Sequence, residues 1–327
     1  MTNENPKPTA QWDKVFPQSD AVDHEKVAFR TRFGITLVAD LYKPRDARGQ
    51  SPALAVAGPF GAVKEQSSGL YAQTMAERGY LTIAFDPSFT GESGGEPRCM
   101  NSPDINIEDF QAAVDFLSVR DDVDPGRIGI IGICGWGGMA LAAAAADPRI
   151  RATVASTMYD MSRVAAKGYF DSADSAEERN RTRASVAAQR TADYRSGVYA
   201  MAGGVVDPLP EDAPAFVKDY YDYYKTPRGY HPRSLNSNAG WTVIGGSSLT
   251  NATLLGRIEE IGGAVMIVHG EAAHSYYMSR DAFARLTGDN KEFVTIPGAV
   301  HTDLYDGGGK NAIPWDRLTG FFDAHLA

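Results

Sequence analysis

The stretch Gly132-Ile133-Cys134-Gly135-Trp136-Gly137-Gly138 joins the apolar run at 128–131 directly to the alanine-rich run at 139–143. A buried strand, a sharp turn of small residues and a helix that begins at once are the three parts of a nucleophile elbow. A helix N-terminus carries partial positive charge and free backbone N–H groups, which lower the pKa of a thiol and bind a developing oxyanion. The order of these parts predicts that Cys134 presents a thiolate to an acyl group.

The same residues also fit a glycine-rich turn whose cysteine is a small buried hydrophobe, since free cysteine is among the most buried residue types. One position departs from the usual elbow. The second residue after the nucleophile is normally glycine and here is Trp136, with the glycines moved to 137 and 138. We expect the Trp136 indole to crowd the turn or to form a wall of the substrate pocket.

Composition limits the classes of partner. The 327 residues carry a net charge of −9, and no cluster of five or more Lys and Arg occurs, which argues against a nucleic acid. Cys99 and Cys134 are the only cysteines, too few for a disulfide scaffold or a cysteine-rich zinc site. No signal-peptide or membrane-spanning pattern occurs. We therefore expect a cytoplasmic protein that acts on a small molecule without a cofactor, a metal or a membrane, and that is free to form a homodimer.

The chain divides into three parts by pattern. Residues 1–22 are polar and predict a disordered or loosely draped arm. Within 23–160 and 260–327, apolar strand patterns alternate with helical patterns, which is typical of an α/β fold with a mostly parallel sheet and helices on both faces. Within 161–259 the alternation stops and helical stretches accompany an aromatic-rich run. We interpret 161–259 as a helical cap inserted over the carboxyl ends of the strands.

A nucleophilic cysteine needs a base, and an acid usually orients that base. His301 follows the last predicted strand and precedes a terminal helix, where the base lies in this architecture. The acid is expected after the strand that ends at Val268, where Glu271 is the nearest carboxylate; Asp160, after the preceding strand, is the alternative. Because a thiol needs less activation than a hydroxyl, a Cys–His dyad is a third arrangement.

The remaining candidates line the expected pocket. The backbone N–H groups of Phe60 and Gly135 are the expected oxyanion donors, since Phe60 follows the buried strand at 53–57. Tyr223 and Tyr224 of the cap, together with Trp136, are candidate substrate contacts. Ordinary packing of the cap on the core is the alternative role for the two tyrosines.

These pieces together resemble α/β-hydrolases of the YcjY-like branch, which is related to dienelactone hydrolases. The resemblance spans about 25–325 and is carried by Lys64-Glu65-Gln66, by 84–98, by the elbow, by 223–229, by 270–275 and by 298–306. It implies an α/β-hydrolase fold with a cap, a Cys134 nucleophile and a His301 base, and it implies no particular substrate.

Three functions follow as hypotheses. The first is hydrolysis of an ester, thioester or lactone through an S-acyl intermediate on Cys134, with His301 as base. The second is a biosynthetic acyltransferase, cyclase or isomerase that uses the same site with water excluded. The third is a ligand-binding pseudohydrolase that keeps the scaffold without catalysis.

Overall fold

The computed structural model describes residues 8–9 and 11–327. Its centre is an eight-stranded sheet with the strand order β1-β2-β4-β3-β5-β6-β7-β8. The strands are β1 (Val22–Arg30), β2 (Thr36–Pro44), β3 (Ser51–Ala57), β4 (Leu81–Phe85), β5 (Val123–Ile133), β6 (Ile150–Ser156), β7 (Ala264–Gly270) and β8 (Lys291–Ile296). β2 pairs antiparallel with β1 and β4, and every pairing from β4 through β3 to β8 is parallel. The predicted mostly parallel sheet is confirmed.

Helices cover both faces of this sheet. They are α1 (Ser67–Ala76), α2 (Pro103–Ser118), α3 (Gly135–Ala146), α4 (Met161–Lys167), α5 (Ala176–Ser196), α6 (Ala215–Tyr224), α7 (Tyr276–Phe283), α8 (Asp303–Asp306) and α9 (Trp315–His325). Successive side chains of a strand point to opposite faces. Ala53 and Ala55 of β3 therefore pack in the core with α2 and α3, whereas Leu54 and Val56 pack with α1 and α9. Both faces are buried, which explains the uninterrupted apolar runs.

The predicted cap lies between β6 and β7 and contains α4, α5 and α6. Its boundaries at 160/161 and 259/260 stay predictions. α5 is polar and largely exposed, with only Asp193 buried. No helix among the described residues is long and apolar enough to cross a membrane.

The amino-terminal arm is more ordered than we expected where the structure describes it; residues 1–7 and 10 lie outside the described residues. Phe16 is buried, and the Val15 N–H donates to the Glu65 carbonyl at 3.0 Å. Lys14 forms an ion pair with Asp40 at 3.0 Å, with both side chains buried. Apolar and ionic contacts thus hold residues 14–16 against the core.

Candidate active site

Cys134 lies at the tip of the turn between β5 and α3, with φ 59° and ψ −127°. L-residues rarely adopt this backbone conformation, and it is stable only where the surroundings enforce it. Gly132 permits the tight turn, because a Cβ there would lie 2.0 Å from the Trp136 carbonyl oxygen. The turn therefore has the strained geometry of a nucleophile elbow.

Trp136 does not form a wall of the pocket. It is buried in the core with α2 and α3, and its ring meets Phe85 and Phe110 edge to face, with centroids 5.8 and 5.5 Å apart. The expectation that Trp136 crowds the turn or contacts substrate is wrong. The first turn of α3 packs against β4 and α2, so this helix position faces the core and carries a large apolar side chain.

The predicted oxyanion donors meet at the thiol. The backbone N–H groups of Phe60 and Gly135 lie close enough to the Cys134 sulfur to lower the pKa of the thiol. We call the segment 58–66 between β3 and α1 the Phe60 loop. Gly58 lets this loop approach the elbow, since a Cβ at Gly58 would lie 2.3 Å from the Ile133 carbonyl oxygen. An anion that forms beside Sγ would find two fixed donors there.

The cap fixes the Phe60 loop from the other side. Asn236 donates from Nδ2 to the Phe60 carbonyl at 2.8 Å, and the Phe60 ring packs against Trp241 with centroids 4.5 Å apart. Core and cap therefore hold the loop together.

The Cys134 thiol does not have the lowered pKa that we predicted. Burial raises its pKa, and this effect outweighs the hydrogen bonds from Tyr305, Phe60 and Gly135, which lower it. The N-terminus of α3 favours the thiolate, but removal of the sulfur from water disfavours the thiolate more strongly. At neutral pH the resting group is a thiol.

His301 lies beside the thiol, in the loop between β8 and α8, and is buried. Its Nε2 hydrogen-bonds with the Tyr305 hydroxyl at 3.1 Å, and that hydroxyl lies close enough to the Cys134 sulfur to lower the pKa of the thiol. Tyr305 thus connects nucleophile and base, a role that the sequence reading missed. Its signal was the four-residue spacing from His301, which places both side chains on one face of a helical turn.

Neither predicted carboxylate reaches His301. The exposed Glu271 accepts a hydrogen bond from the Gly298 N–H at 3.2 Å, and Asp160 caps α4 by accepting from the N–H groups of Ser162 and Arg163. Both predictions of the acid are wrong, because each carboxylate accepts hydrogen bonds from nearby backbone N–H groups and neither contacts His301.

Two hydroxyl groups take the place of the acid. His301 Nδ1 hydrogen-bonds with Thr157 Oγ1 at 2.8 Å and with Ser275 Oγ at 2.6 Å. Thr157 follows β6 and Ser275 precedes α7, so the sheet brings both to the same edge. We call Cys134, Thr157, Ser275, His301 and Tyr305 the His301 site. Burial, followed by the nearby His274 and His269, holds the pKa of His301 well below its usual value.

A cavity of about 260 Å³ opens onto the thiol. Of the two tyrosines predicted to contact substrate, Tyr224 lines this cavity. Tyr223 is fully buried and does not line it. None of the described residues that line the cavity is Asp, Glu, Lys or Arg; besides Cys134 and Tyr224 they are Phe60, Tyr159, Met161, Val164, Tyr169, Val205, Tyr220, Asn236, Trp241 and Tyr305. The cavity is therefore aromatic and uncharged.

A cluster of buried charges surrounds Lys64 in the Phe60 loop. The Lys64 ammonium donates to Glu65, Asp86 and Glu92, each at 2.7 Å, and Lys26 pairs with Glu65 at 3.2 Å. We call these five residues the Lys64 cluster. Its three carboxylates lie close enough together to hold a metal ion, but Lys64 already supplies their countercharge.

The Lys64 cluster fixes the backbone that carries Phe60. The backbone N–H of Lys64 donates to Asp86 at 2.9 Å, which joins the Phe60 loop to the segment after β4. Burial alone would lower the pKa of Lys64, but Asp86, Glu65 and their neighbours outweigh burial and raise it.

Comparisons with known proteins agree with this geometry. A family model described as X-Pro dipeptidyl-peptidase (S15 family) matches residues 34–243. The chain is 54% identical over 327 residues to the uncharacterized protein PA2218 of Pseudomonas aeruginosa, covering 99% of this chain and 87% of that protein. It is 35% identical over 306 residues to the uncharacterized protein YcjY of Escherichia coli, covering 89% and 95%. A shorter match, 37% identical over 128 residues and 39% of each protein, is to the thiohydrolase aneE of Aspergillus aculeatus.

Solved structures give the same fold. The crystal structure of PA2218 superposes with a TM-score of 0.95 at 53% identity, covering 99% of this chain and 100% of that one. The α/β-hydrolase GrgF from a Penicillium species superposes with a TM-score of 0.75 at 21% identity, covering 93% and 99%. The second likeness identifies the architecture as the predicted α/β-hydrolase fold.

Proposed function

This chain belongs to the X-Pro dipeptidyl-peptidase (S15) family of α/β-hydrolases, and on that premise we propose that it cleaves an ester, thioester or lactone through an S-acyl intermediate on Cys134. The observation that carries the proposal is the convergence on one sulfur of the Phe60 N–H, the Gly135 N–H and the Tyr305 hydroxyl. A packing cysteine would need none of these donors.

The geometry supports a two-step reaction. In the first step the Cys134 proton passes to the Tyr305 oxygen as the Tyr305 proton passes to His301 Nε2. The sulfur attacks the acyl carbon, the N–H groups of Phe60 and Gly135 bind the oxyanion, and His301 returns the proton to the leaving oxygen or sulfur. In the second step His301 takes a proton from water and the hydroxide oxygen attacks the thioester carbon. The Cys134 thiolate then leaves and takes that proton back from His301 through Tyr305, which restores the thiol.

The uncharged cavity favours a neutral, apolar or aromatic acyl group. A dipeptidyl substrate carries a free ammonium group, and burying an ammonium without a carboxylate partner is costly. No carboxylate is among the described residues that line the cavity. The lining therefore supports an acyl hydrolase in preference to the peptidase activity for which the family is named.

Acyl transfer is the second candidate. Cys134 is only 7% exposed, and an aromatic cavity of this kind binds water poorly. Slow attack by water on the S-acyl group would let an alcohol, amine or thiol take its place, which gives an ester, amide or thioester instead of an acid.

The test is intact mass with peptide mapping after brief exposure to p-nitrophenyl esters and N-acetylcysteamine thioesters of acetate, hexanoate and benzoate. We expect one acyl group on Cys134, slower to form in His301→Ala and absent in Cys134→Ala. Cys99→Ala, which removes the other thiol, is the matched control and should behave like wild type. Full turnover by Cys134→Ala would refute the proposal, as would acylation elsewhere.

Release of the acyl group separates the two candidates. In water labelled with oxygen-18, hydrolysis yields labelled acid as the adduct disappears. An adduct that persists until an alcohol or amine is added indicates transfer. Absence of any adduct on Cys134 supports the pseudohydrolase instead.

A further inference from the structure

A chain of hydrogen bonds continues behind His301 where a triad would end at a carboxylate. Ser275 Oγ contacts His301 Nδ1 at 2.6 Å and His269 Nε2 at 2.9 Å. His269 Nδ1 then contacts Ser279 Oγ at 2.6 Å. All four side chains are at most 1% exposed, so the Ser275 proton passes to one of the two histidines that flank it.

Counting protons leaves two directions for this chain. In one, His301 Nδ1–H donates to Ser275, the Ser275 hydroxyl donates to His269 Nε2, and His269 Nδ1–H donates to Ser279. In the other, every bond is reversed, and His301 then carries its proton on Nε2. A neutral imidazole has only one N–H, so only the first direction leaves an Nε2 lone pair facing Tyr305 and the thiol.

Thr157 fits the first direction as well. Its oxygen lies 2.8 Å from His301 Nδ1 and 3.4 Å from the His301 carbonyl oxygen. The hydroxyl can donate to that carbonyl while its lone pair accepts from Nδ1–H. Two oxygen atoms then share the Nδ1 proton.

We propose that Ser275 and His269 are positioning residues that fix His301 with the proton on Nδ1, in place of the carboxylate of a Ser–His–Asp triad. The inference rests on the proposed function, in which Nε2 of His301 is the base. His269 acts through Ser275: it accepts the serine proton, so that the serine lone pair stays turned toward His301.

Neutral residues suit this role for a reason of charge. His269, whose pKa burial lowers to about 3, stays uncharged and can accept a proton at neutral pH. A carboxylate in its place would raise the pKa of His301 and favour its imidazolium form. The hydroxyl of Ser275 orients the ring without fixing a charge on it, so that the thiol and the imidazole both rest neutral.

The test reads the tautomer directly by nitrogen-15 NMR of histidine-labelled protein, free of substrate. We expect His301 in wild type to be protonated on Nδ1, and in Ser275→Ala to shift toward Nε2–H. The value of kcat for the acyl substrates should fall about tenfold to a hundredfold, with KM nearly unchanged, because binding does not depend on the tautomer. Ser88→Ala, which removes a buried hydroxyl bonded to Asp109, is the control and should change neither readout.

A pair of variants at His269 separates positioning from packing. His269→Gln keeps an acceptor for the Ser275 proton and should retain the Nδ1–H tautomer and most of kcat. His269→Phe keeps the ring volume without the acceptor and should resemble Ser275→Ala.

The outcomes also separate this inference from the proposed function. An Nε2–H tautomer in wild type, or an unchanged tautomer in Ser275→Ala, overturns the inference even where Cys134 is acylated. A tautomer shift without acylation of Cys134 supports the chain of hydrogen bonds and refutes the acyl chemistry.

Discussion

The Lys64 cluster and the His301 site both adjoin the Phe60 loop and consist of different kinds of side chain, ions in the first and neutral groups in the second. Lys64, Glu65 and Asp86 are fully buried charges that bind one another. Around His301 the contacts come from hydroxyl groups and from histidines that burial keeps neutral. Both regions are equally dry, so burial alone does not explain the difference.

The comparison teaches where a buried charge is useful. Buried ions demand fixed partners, because losing one partner leaves the other uncompensated. The Lys64 cluster uses that demand to hold the backbone of the loop whose N–H groups face the thiol. A permanent charge beside the thiol would instead fix one protonation state through the low dielectric, and the reaction needs both states in turn.

The largest expected effect comes from removing the central cation of the Lys64 cluster. Lys64→Met leaves Glu65 and Asp86 buried without their main cation, and we expect the free energy of unfolding to fall by about 3–5 kcal/mol. Urea denaturation measures this. Lys43→Met, which breaks a half-exposed pair with Asp122, should cost under about 1 kcal/mol. Equal losses in the two variants would remove the distinction between scaffold and surface charges.

Lowering the pH should reduce the free energy of unfolding first through the neutral histidines at and beside the His301 site. His301 and His269 are neutral when folded and have pKa values near 6.5 when unfolded. Below pH 6.5 the unfolded chain therefore binds more protons, and the free energy of unfolding falls with the pH. His269 alone accounts for about 2 kcal/mol at pH 5. Glu65, whose pKa the Lys64 cluster lowers against the effect of burial, contributes stability that is lost only below about pH 4.

Urea denaturation of wild type and His269→Gln at pH 7, 6 and 5 isolates one of these histidines. Asp109, whose pKa burial raises to about 6, opposes the trend equally in both proteins, since protonation favours its folded form. The wild-type loss between pH 7 and 5 should exceed the loss in the variant by about 2 kcal/mol. Parallel curves would show that His269 carries a proton when folded.

Removing the Tyr305 hydroxyl should lower thiol reactivity. Tyr305→Phe deletes a hydrogen bond that favours the Cys134 thiolate, worth about 1.5 kcal/mol, or roughly tenfold in alkylation rate at fixed pH. Iodoacetamide kinetics across pH 6–10 measure this. Tyr223→Phe is the matched control, because Tyr223 is buried but does not line the cavity over Cys134. An unchanged rate in Tyr305→Phe would remove Tyr305 from the path of the proton.

The smallest effect should come from the carboxylate first expected as the acid. Glu271→Gln should change kcat less than about twofold and stability by under about 0.5 kcal/mol, since Glu271 is exposed. Asp160→Ala should also spare kcat while removing the N-cap of α4, a loss of about 1 kcal/mol that thermal unfolding would show. A large loss of kcat in either variant would mean that a carboxylate reaches His301 during turnover.

The positions that depend on local order agree between sequence and structure, whereas the catalytic roles of these residues stay predictions. Strand, turn and helix are contiguous around Cys134, and His301 follows β8 directly, so pattern alone located both. Phe60 and Gly135 followed from the same logic of strand ends. Each of these positions follows from a single strand and the turn directly after it.

The parts that depend on distant contacts were not predictable in this way. Thr157 and Ser275 meet at His301 only because β6 and β7 are neighbours, and a hydroxyl carries no sequence signal of an acid. Trp136 was misread because spacing from the nucleophile does not say which way a helical side chain points. The pKa of Cys134 depends on burial by the cap, which no local pattern reports.

The uncharged cavity over Cys134 divides any substrate into two halves. A charged or heavily hydrated group would lose its water inside the aromatic lining and gain no ion pair, so such a group must stay in the solvent at the mouth. Under the proposed function, the part of the substrate that this lining holds next to Cys134 is therefore its apolar part.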